Sequence, residues 1–261
     1  MKNLLIIVAL LNSLILLSQT SSSTVKKQGY WKQKDPKTNK IIFEGEFNDD
    51  KPLGKIKYYY PNDSVRAIII FNKNGKTAYA KLFHITGKRM GEGKYICESL
   101  NVLNRDSIWY FYDEAGVLIS KDRYINGKKE GTCFVYLPNG QVAEERNFKK
   151  DILDGPFTQY FDGVKLKGKG NYNNGSLEGK TTYYYPNGVE VATGYYLNGK
   201  KNGPWIYKLE NGKIKEKELY KKGDLASKKE TDEFFAKSKS AETQKTNTVN
   251  PKSAGDKGTK K

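Results

Sequence analysis

Apolar positions fall along this chain in two ways. Residues 4–17 form one nearly unbroken apolar run, whereas from residue 29 onward apolar and aromatic residues come in runs of five to eight, closed off by glycine, asparagine and proline. Short runs rich in tyrosine, phenylalanine, valine and threonine, with turn residues at both ends, predict β-strands rather than helices. The runs recur with a step of about 24 residues. Gly131-Thr-Cys-Phe-Val-Tyr136 leads to Pro138-Asn139-Gly140, and Gly155-Pro-Phe-Thr-Gln-Tyr160 to Asp162-Gly163. Gly179-Lys-Thr-Thr-Tyr-Tyr-Tyr185 leads to Pro186-Asn187-Gly188, and Gly203-Pro-Trp-Ile-Tyr207 to Asn211-Gly212. Stepping backwards places earlier unit openings at Asp106, Ala80, Gly54 and Gly29, the unit at Ala80 keeping only Leu82, Phe83 and Gly87.

A second column supports the repeat. Phe47, Tyr124, Phe148, Tyr172 and Tyr196 stand seven residues before unit openings, and Tyr220 continues the series. Asn126-Gly127, Asn174-Gly175 and Asn198-Gly199 follow shortly after such aromatics. An Asn-Gly pair favours a type I′ hairpin turn, which needs positive φ at both central residues. Each repeat therefore carries two reversals and two antiparallel strands. The fold class expected is all-β: an elongated meander of β-hairpin repeats over residues 29–223. A single hairpin is too small to be stable alone, so equivalent residues of successive units have to stack.

The pattern Gly-x-aromatic-x-x-Tyr, followed by Tyr-x-Asn-Gly-Lys-x-x-Gly, resembles the MORN-repeat variant found in bacterial proteins labelled YwqK-type antitoxins. The resemblance covers about residues 29–223 and is best between Tyr124 and Tyr220. It implies a solenoid of β-hairpins used for binding or assembly, and its label implies neutralisation of a partner toxin by binding.

The flanks differ from the repeats. Met1-Lys2-Asn3, the apolar run and then a serine-rich stretch form the n-region, h-region and small-residue order of a secretory signal peptide. The fourteen residues 4–17 rise about 21 Å as a helix, short of a hydrocarbon core of about 30 Å, which favours cleavage over anchoring. Residues 1–20 are thus read as a signal peptide and 21–28 as a short linker. Residues 224–261 read as a basic low-complexity tail, disordered after about Ser240, with a short helix around residues 225–236 that sets Phe234 and Phe235 against the last hairpin.

Composition narrows the chemistry. The 261 residues include 46 Lys+Arg against 29 Asp+Glu, one histidine and two cysteines. A single imidazole (His84) and two thiols cannot build a His₂, His₃ or Cys₄ metal site. The net charge of +17 favours anionic partners. With only five arginines, bidentate phosphate recognition is weakly supported, and specific nucleic-acid binding is not expected of an exported protein. Asn174-Gly-Ser-Leu-Glu-Gly-Lys-Thr181 approaches a P-loop, yet asparagine replaces the first glycine and strand follows where a helix is needed. The same slot reads Asn126-Gly-Lys-Lys-Glu-Gly-Thr132 and Asn198-Gly-Lys-Lys-Asn-Gly-Pro204, so it is a repeat element. Gly87-Lys-Arg-Met-Gly-Glu-Gly93 fares no better.

His84 occupies the slot of Tyr58, Tyr110, Tyr183 and Tyr207 in this alignment, as one aromatic replacing another. Glu44/Glu46 and Glu144/Glu145 lie on strands at ordinary solvent-facing density, and nothing selects a catalytic pair. Cys97 and Cys133 fall about three strands apart, roughly 14 Å, beyond the ~7 Å Cα separation of a disulfide. Cys133 fills the column of Trp31, Phe157 and Trp205. No catalytic, cofactor-binding or metal site is expected. The reading is of an exported, non-enzymatic binding or assembly scaffold, peripheral to the envelope, with a protein partner or an anionic envelope component; an antitoxin or immunity protein is the alternative. An end-to-end homodimer stays open. Mass spectrometry of protein secreted from its native N terminus checks the leader: loss of about twenty residues is expected, and an intact Met1 contradicts it.

Overall fold

The computed structural model describes residues 26–99 and 102–248. The signal peptide expected at 1–20 and the far tail at 249–261 lie outside the described residues. The chain divides into two compact units, with the division between Val164 and Lys165.

Unit 1 is a meander of β1 (Gly29–Lys34), β2 (Ile41–Asn48), β3 (Lys51–Tyr59), β4 (Val65–Phe71), β5 (Thr77–Phe83), β6 (Arg89–Ser99), β7 (Val102–Tyr112), β8 (Leu118–Ile125), β9 (Lys128–Lys129), β10 (Gly131–Tyr136), β11 (Val142–Lys149) and β12 (Ile152–Tyr160). Pairing is antiparallel throughout, each strand with its chain neighbour, except that β8 pairs with both β9 and β10. Unit 2 repeats the theme with β13 (Leu166–Asn173), β14 (Ser176–Leu177), β15 (Gly179–Tyr184), β16 (Glu190–Leu197), β17 (Lys200–Lys201), β18 (Gly203–Lys208), β19 (Ile214–Lys221) and β20 (Asp224–Leu225), followed by α1 (Lys228–Thr248).

Both predicted turns form. Asn126 (φ 48°) and Gly127 (φ 81°) close one hairpin, as do Asn174 with Gly175 and Asn198 with Gly199. The same left-handed pair is supplied elsewhere by Asp49-Asp50 and Lys150-Asp151, which the Asn-Gly signature does not cover. At the other turn Gly140 N donates to Leu137 O, and Asn139 Oδ1 accepts from Gln141 N. A register shift beside this turn recurs, as at Val135/Tyr136, Tyr183/Tyr184 and Tyr207/Lys208, and bulges of this kind sharpen the local twist.

The earlier units begin elsewhere than expected. Gly131 pairs with Phe148, Gly179 with Tyr196 and Gly203 with Tyr220. By the same pairing, the openings are Ser107, opposite Tyr124, and Ala78, opposite Tyr95, in place of Asp106 and Ala80. Ser107 adopts φ 61°, close to the glycines it replaces. The 29 residues from Ala78 to Ser107 are accommodated by lengthening β6 and β7 to 11 residues each. The corrected alignment adds Phe71 and Tyr95 to the aromatic column, both buried with Phe47 and Tyr124. Within the segment read as linker, Lys27 N donates to Asp50 Oδ1 and Lys27 O accepts from Asp50 N, as Lys129 does with Asp151.

In unit 1 the core lies along one face of the sheet. Its central row, read across strands, is Trp31, Gly45, Ile56, Ile69, Ala80, Gly93, Trp109, Asp122, Cys133, Arg146 and Phe157. Large residues sit against small ones. A Cβ on Gly93 would lie 2.5 Å from the Trp109 ring, and in unit 2 one on Gly194 would lie 2.2 Å from the Trp205 ring. Both tryptophans are almost wholly buried. In the segment read as the start of the basic tail, Asp224–Leu225 form β20 and the helix expected around residues 225–236 runs on as α1, past Ser240 to Thr248. Its start is a capping box: Ser227 Oγ accepts from Glu230 N at 3.3 Å, while Glu230 Oε2 accepts from Ser227 N at 3.1 Å. Phe235 meets the last hairpin, under Lys217 Nζ at 4.8 Å, while Phe234 is more exposed and packs edge-on against Phe235.

Gly93→Ala and Gly194→Ala should each cost about 1–3 kcal/mol by overpacking, whereas Ser107→Gly should raise stability by up to about 1 kcal/mol by relieving a left-handed non-glycine residue. Urea denaturation midpoints read all three.

Candidate functional site

Two recurring side-chain arrangements occupy the two faces. On the core face, a cation two residues before each of several openings lies over aromatic rings. Arg105 sits 5.2 Å from the Trp109 ring, 5.3 Å from Phe111 and 5.4 Å from Tyr124. Lys201 repeats this over Trp205 (4.6 Å), Tyr207 (5.2 Å) and Tyr220 (4.7 Å), and its Nζ donates to Tyr207 Oη at 2.5 Å. Lys27 lies over Phe47 and Lys129 over Phe148, and Lys129 also pairs with buried Asp122 at 2.8 Å. Cations held over ring faces away from water contribute more than exposed ones, up to about 2 kcal/mol. The residue immediately before the opening plays a different part. Glu130, Glu178 and Asn202 each accept the backbone N–H of the next type I′ turn, from Lys150, Asn198 and Lys222. In the sequence these positions stand out only as the variable part of Asn-Gly-Lys-x-x-Gly.

The opposite face of unit 1 carries a continuous cross-strand row: Lys32, Glu44, Lys57, Ile68, Lys81, Glu92, Tyr110, Lys121, Phe134, Glu145 and Thr158. Tyrosines flank it. Tyr59 Oη donates to Glu44 Oε1 at 2.6 Å, Tyr112 to Glu92 at 3.1 Å and Tyr160 to Glu145 at 3.3 Å. Ile70 and Tyr79, paired with each other on this face, are 47% and 44% exposed. Glu44 is therefore not an ordinary solvent-facing acid: its side chain is 13% exposed and also pairs with Lys32 and Lys57. Glu144 is held by Arg146 and Gln159.

The remaining sequence candidates are structural. His84 Nε2 meets Tyr112 O at 3.0 Å, as Tyr60 Oη meets Phe83 O and Tyr185 Oη meets Lys208 O. It is an aromatic replacement, but in the column of Tyr60 and Tyr185, two residues from the one expected. The P-loop-like segment is a type I′ turn leading into β15, with no helix at Gly179. Cys97 on β6 and Cys133 on β10 are both free, Cys133 buried and Cys97 only half-buried. Burial raises both thiols above their ordinary range, which keeps them protonated. Among the described residues no group of three or more His, Cys, Asp or Glu could hold a metal ion, and no helix is long and apolar enough to cross a membrane.

Titration of the tyrosine–glutamate contacts gives a pH signature. Burial, then the Glu44 hydrogen bond, pushes Tyr59 from near 10 up to about 12, and burial beside Tyr196 pushes Tyr183 up to about 12. The Tyr59 hydrogen bond lowers Glu44 below its usual 4.5. Raised tyrosines give stability that is complete below pH 10 and lost as pH rises toward 12, while lowered Glu44 gives stability present above pH 4.5 and lost as pH falls. Denaturation midpoints should hold steady near neutrality and fall on both sides. Tyr59→Phe should lessen both losses, as it removes the raised phenol and the hydrogen bond that lowers Glu44.

Residues 129–150, 177–189 and 201–222 match the family described as the MORN repeat variant. Each matched segment starts two residues before a unit opening, at Lys129, Leu177 and Lys201, so the family unit and the structural unit share a frame. No curated protein matches the chain. A crystal structure of TarM is similar at 16% identity and TM-score 0.20, covering 56% of this chain and 20% of that one. A mutant S. aureus TarM in complex with fondaparinux, alpha-GlcNAc-glycerol and UDP is similar at 14% identity and TM-score 0.16, covering 52% and 19%. The chain spans about a fifth of those proteins' length, and likeness at such TM-scores carries no argument. What the comparisons establish is a partial match to the MORN repeat variant, in a repeat-containing all-β chain.

Proposed function

We propose that this chain is an exported, non-enzymatic repeat protein that binds a protein partner in the cell envelope through the tyrosine–lysine face of unit 1. The observation that carries the reading is the cross-strand row from Lys32 to Thr158, with exposed Ile70 and Tyr79 beside it. Tyrosine offers large, rigid contact area at low entropic cost, and lysines on the same face add long-range attraction for an acidic partner. Exposed apolar groups rimmed by charge are a common mark of interaction surfaces. The apolar run at residues 4–17 supports export, and the basic composition supports peripheral attachment to an anionic envelope component rather than specific nucleic-acid binding. A second reading rests on the resemblance of the repeats to those of proteins labelled YwqK-type antitoxins: the bound partner is then a toxin that the chain neutralises.

The test is a pull-down from envelope extract using residues 21–261, at low and high salt, beside two variants. One carries Ile70→Ser and Tyr79→Ser, and the other lacks residues 249–261. A single stoichiometric protein, retained in high salt, lost with the double variant and kept without the tail, is the outcome expected. A partner indifferent to the double variant, or none at all, contradicts the proposal; a captured protein whose toxicity is relieved by binding would select the second reading.

A further inference from the structure

The last hairpin of unit 2 holds an incomplete version of an arrangement that is complete inside unit 1. Trp109 pairs with Asp122 across β7 and β8, and Trp205 pairs with Glu218 across β18 and β19. Asp122 receives Lys129, which pairs with Tyr124. The corresponding partner of Tyr220 is Leu225, which brings no charge. Glu218 is met instead by the Tyr220 hydroxyl at 2.8 Å. Glu216, two residues along on the same face and exposed, stands where the previous hairpin has buried Ala192.

No further strand arrives because the chain leaves the sheet at Ser227, 24 residues after Gly203, and enters α1. The Leu219 carbonyl accepts from Ala226 N on the side away from β18. By the alternation of an antiparallel pair, the backbone groups of Lys217 point the same way. No strand among the described residues pairs with Lys217 on that side. Helix α1 packs through Phe235 on Lys217, on the opposite face from Glu216 and Glu218. The space left is a groove of about 300 Å³ lined by Tyr207, Tyr220, Glu216 and Glu218. Three lysines also line it. Lys201 is held by the two tyrosines and Lys208 by Glu190 at 2.9 Å, leaving Lys215 beside the two carboxylates.

A second copy of this chain does not fit that edge in the repeat's register. Its first strand would set Trp31 opposite Glu218, and where a strand bearing Trp109 or Trp205 follows another here, the preceding strand carries Gly93 or Gly194 beneath the ring, where no Cβ fits. The geometry points to the free edge of β19 as a docking site for an extended segment of a partner polypeptide that places a lysine or arginine opposite Glu218 and a second opposite Glu216. Cross-strand pairs of opposite charge and edge backbone hydrogen bonds together give such strand addition its selectivity. The site is in unit 2 and does not rest on the unit 1 face.

The probe is a fluorescent acetylated peptide, Thr-Val-Lys-Thr-Lys-Val-Thr-amide, titrated with residues 21–261 and followed by anisotropy. Saturable binding is expected, weakened at least tenfold by E216K/E218K and also by Lys217→Pro, which removes an edge N–H while leaving both carboxylates. Unchanged urea midpoints show that these variants fold. A peptide of residues 26–34, carrying Trp31, should not bind. The proposal is overturned if the lysine peptide does not bind, or binds the variants equally well. It is overturned also if the 26–34 peptide binds as tightly, which would make a second copy the occupant. Binding seen only after removal of residues 249–261 would make the chain's own tail the occupant and overturn it too.

Discussion

The structure depends on packing large side chains against a backbone with no side chain at all. A single-layer sheet has no second layer to bury its apolar face, so burial has to be arranged along the face itself. Trp109 over Gly93 and Trp205 over Gly194 do this, because absence of a Cβ lets the indole settle onto the neighbouring strand. Where the next residue is smaller, the glycine is no longer required: Asp122, one step beyond the Lys121–Phe134 pair, has the Cys133 thiol beside it. One hairpin therefore dictates what the next can carry, which makes stability a property of neighbours rather than of single hairpins.

The cations follow from this packing. Once aromatic rings line one face, their negative faces are exposed at the edge of each unit, and Arg105 or Lys201 lies over them while its charge meets a phenol or carboxylate. The high lysine content is thus partly internal to the fold rather than wholly a surface charge. On the other face of unit 1, lysine, glutamate and tyrosine alternate across strands, and the carboxylates are held by phenols. Most of the chemistry in the chain is consumed in joining one hairpin to the next, and what remains for a partner lies on the row beside Ile70 and Tyr79 and at the last edge.

Legibility from sequence followed how strictly each position is constrained. Glycine and Asn-Gly turns were readable because positive φ admits few residues, and the later openings at Gly131, Gly155, Gly179 and Gly203 all carry it. Ser107 and Ala78 escaped because neither is glycine, and the lengthened β6–β7 hairpin hid the five extra residues that shift the frame. That same shift put His84 in the wrong column. Glu130, Glu178 and Asn202 were missed since acceptors of a backbone N–H need share only an oxygen, not a residue type. The helix was underestimated because Ser227-Lys-Lys-Glu230 sits where another opening was due, so the periodicity masks its capping box.

The repeat ends with an open strand edge at β19, beyond which the chain turns away. Hydrogen exchange of the individual amides of residues 21–261, read by NMR, probes that edge without any partner. Slow exchange is expected at Thr193 in the paired interior of β16, and fast exchange at Lys217 in β19 of the free protein. Slow exchange at Lys217 would show that the edge is already covered, and an open terminal strand could then not be the feature that ends the repeat.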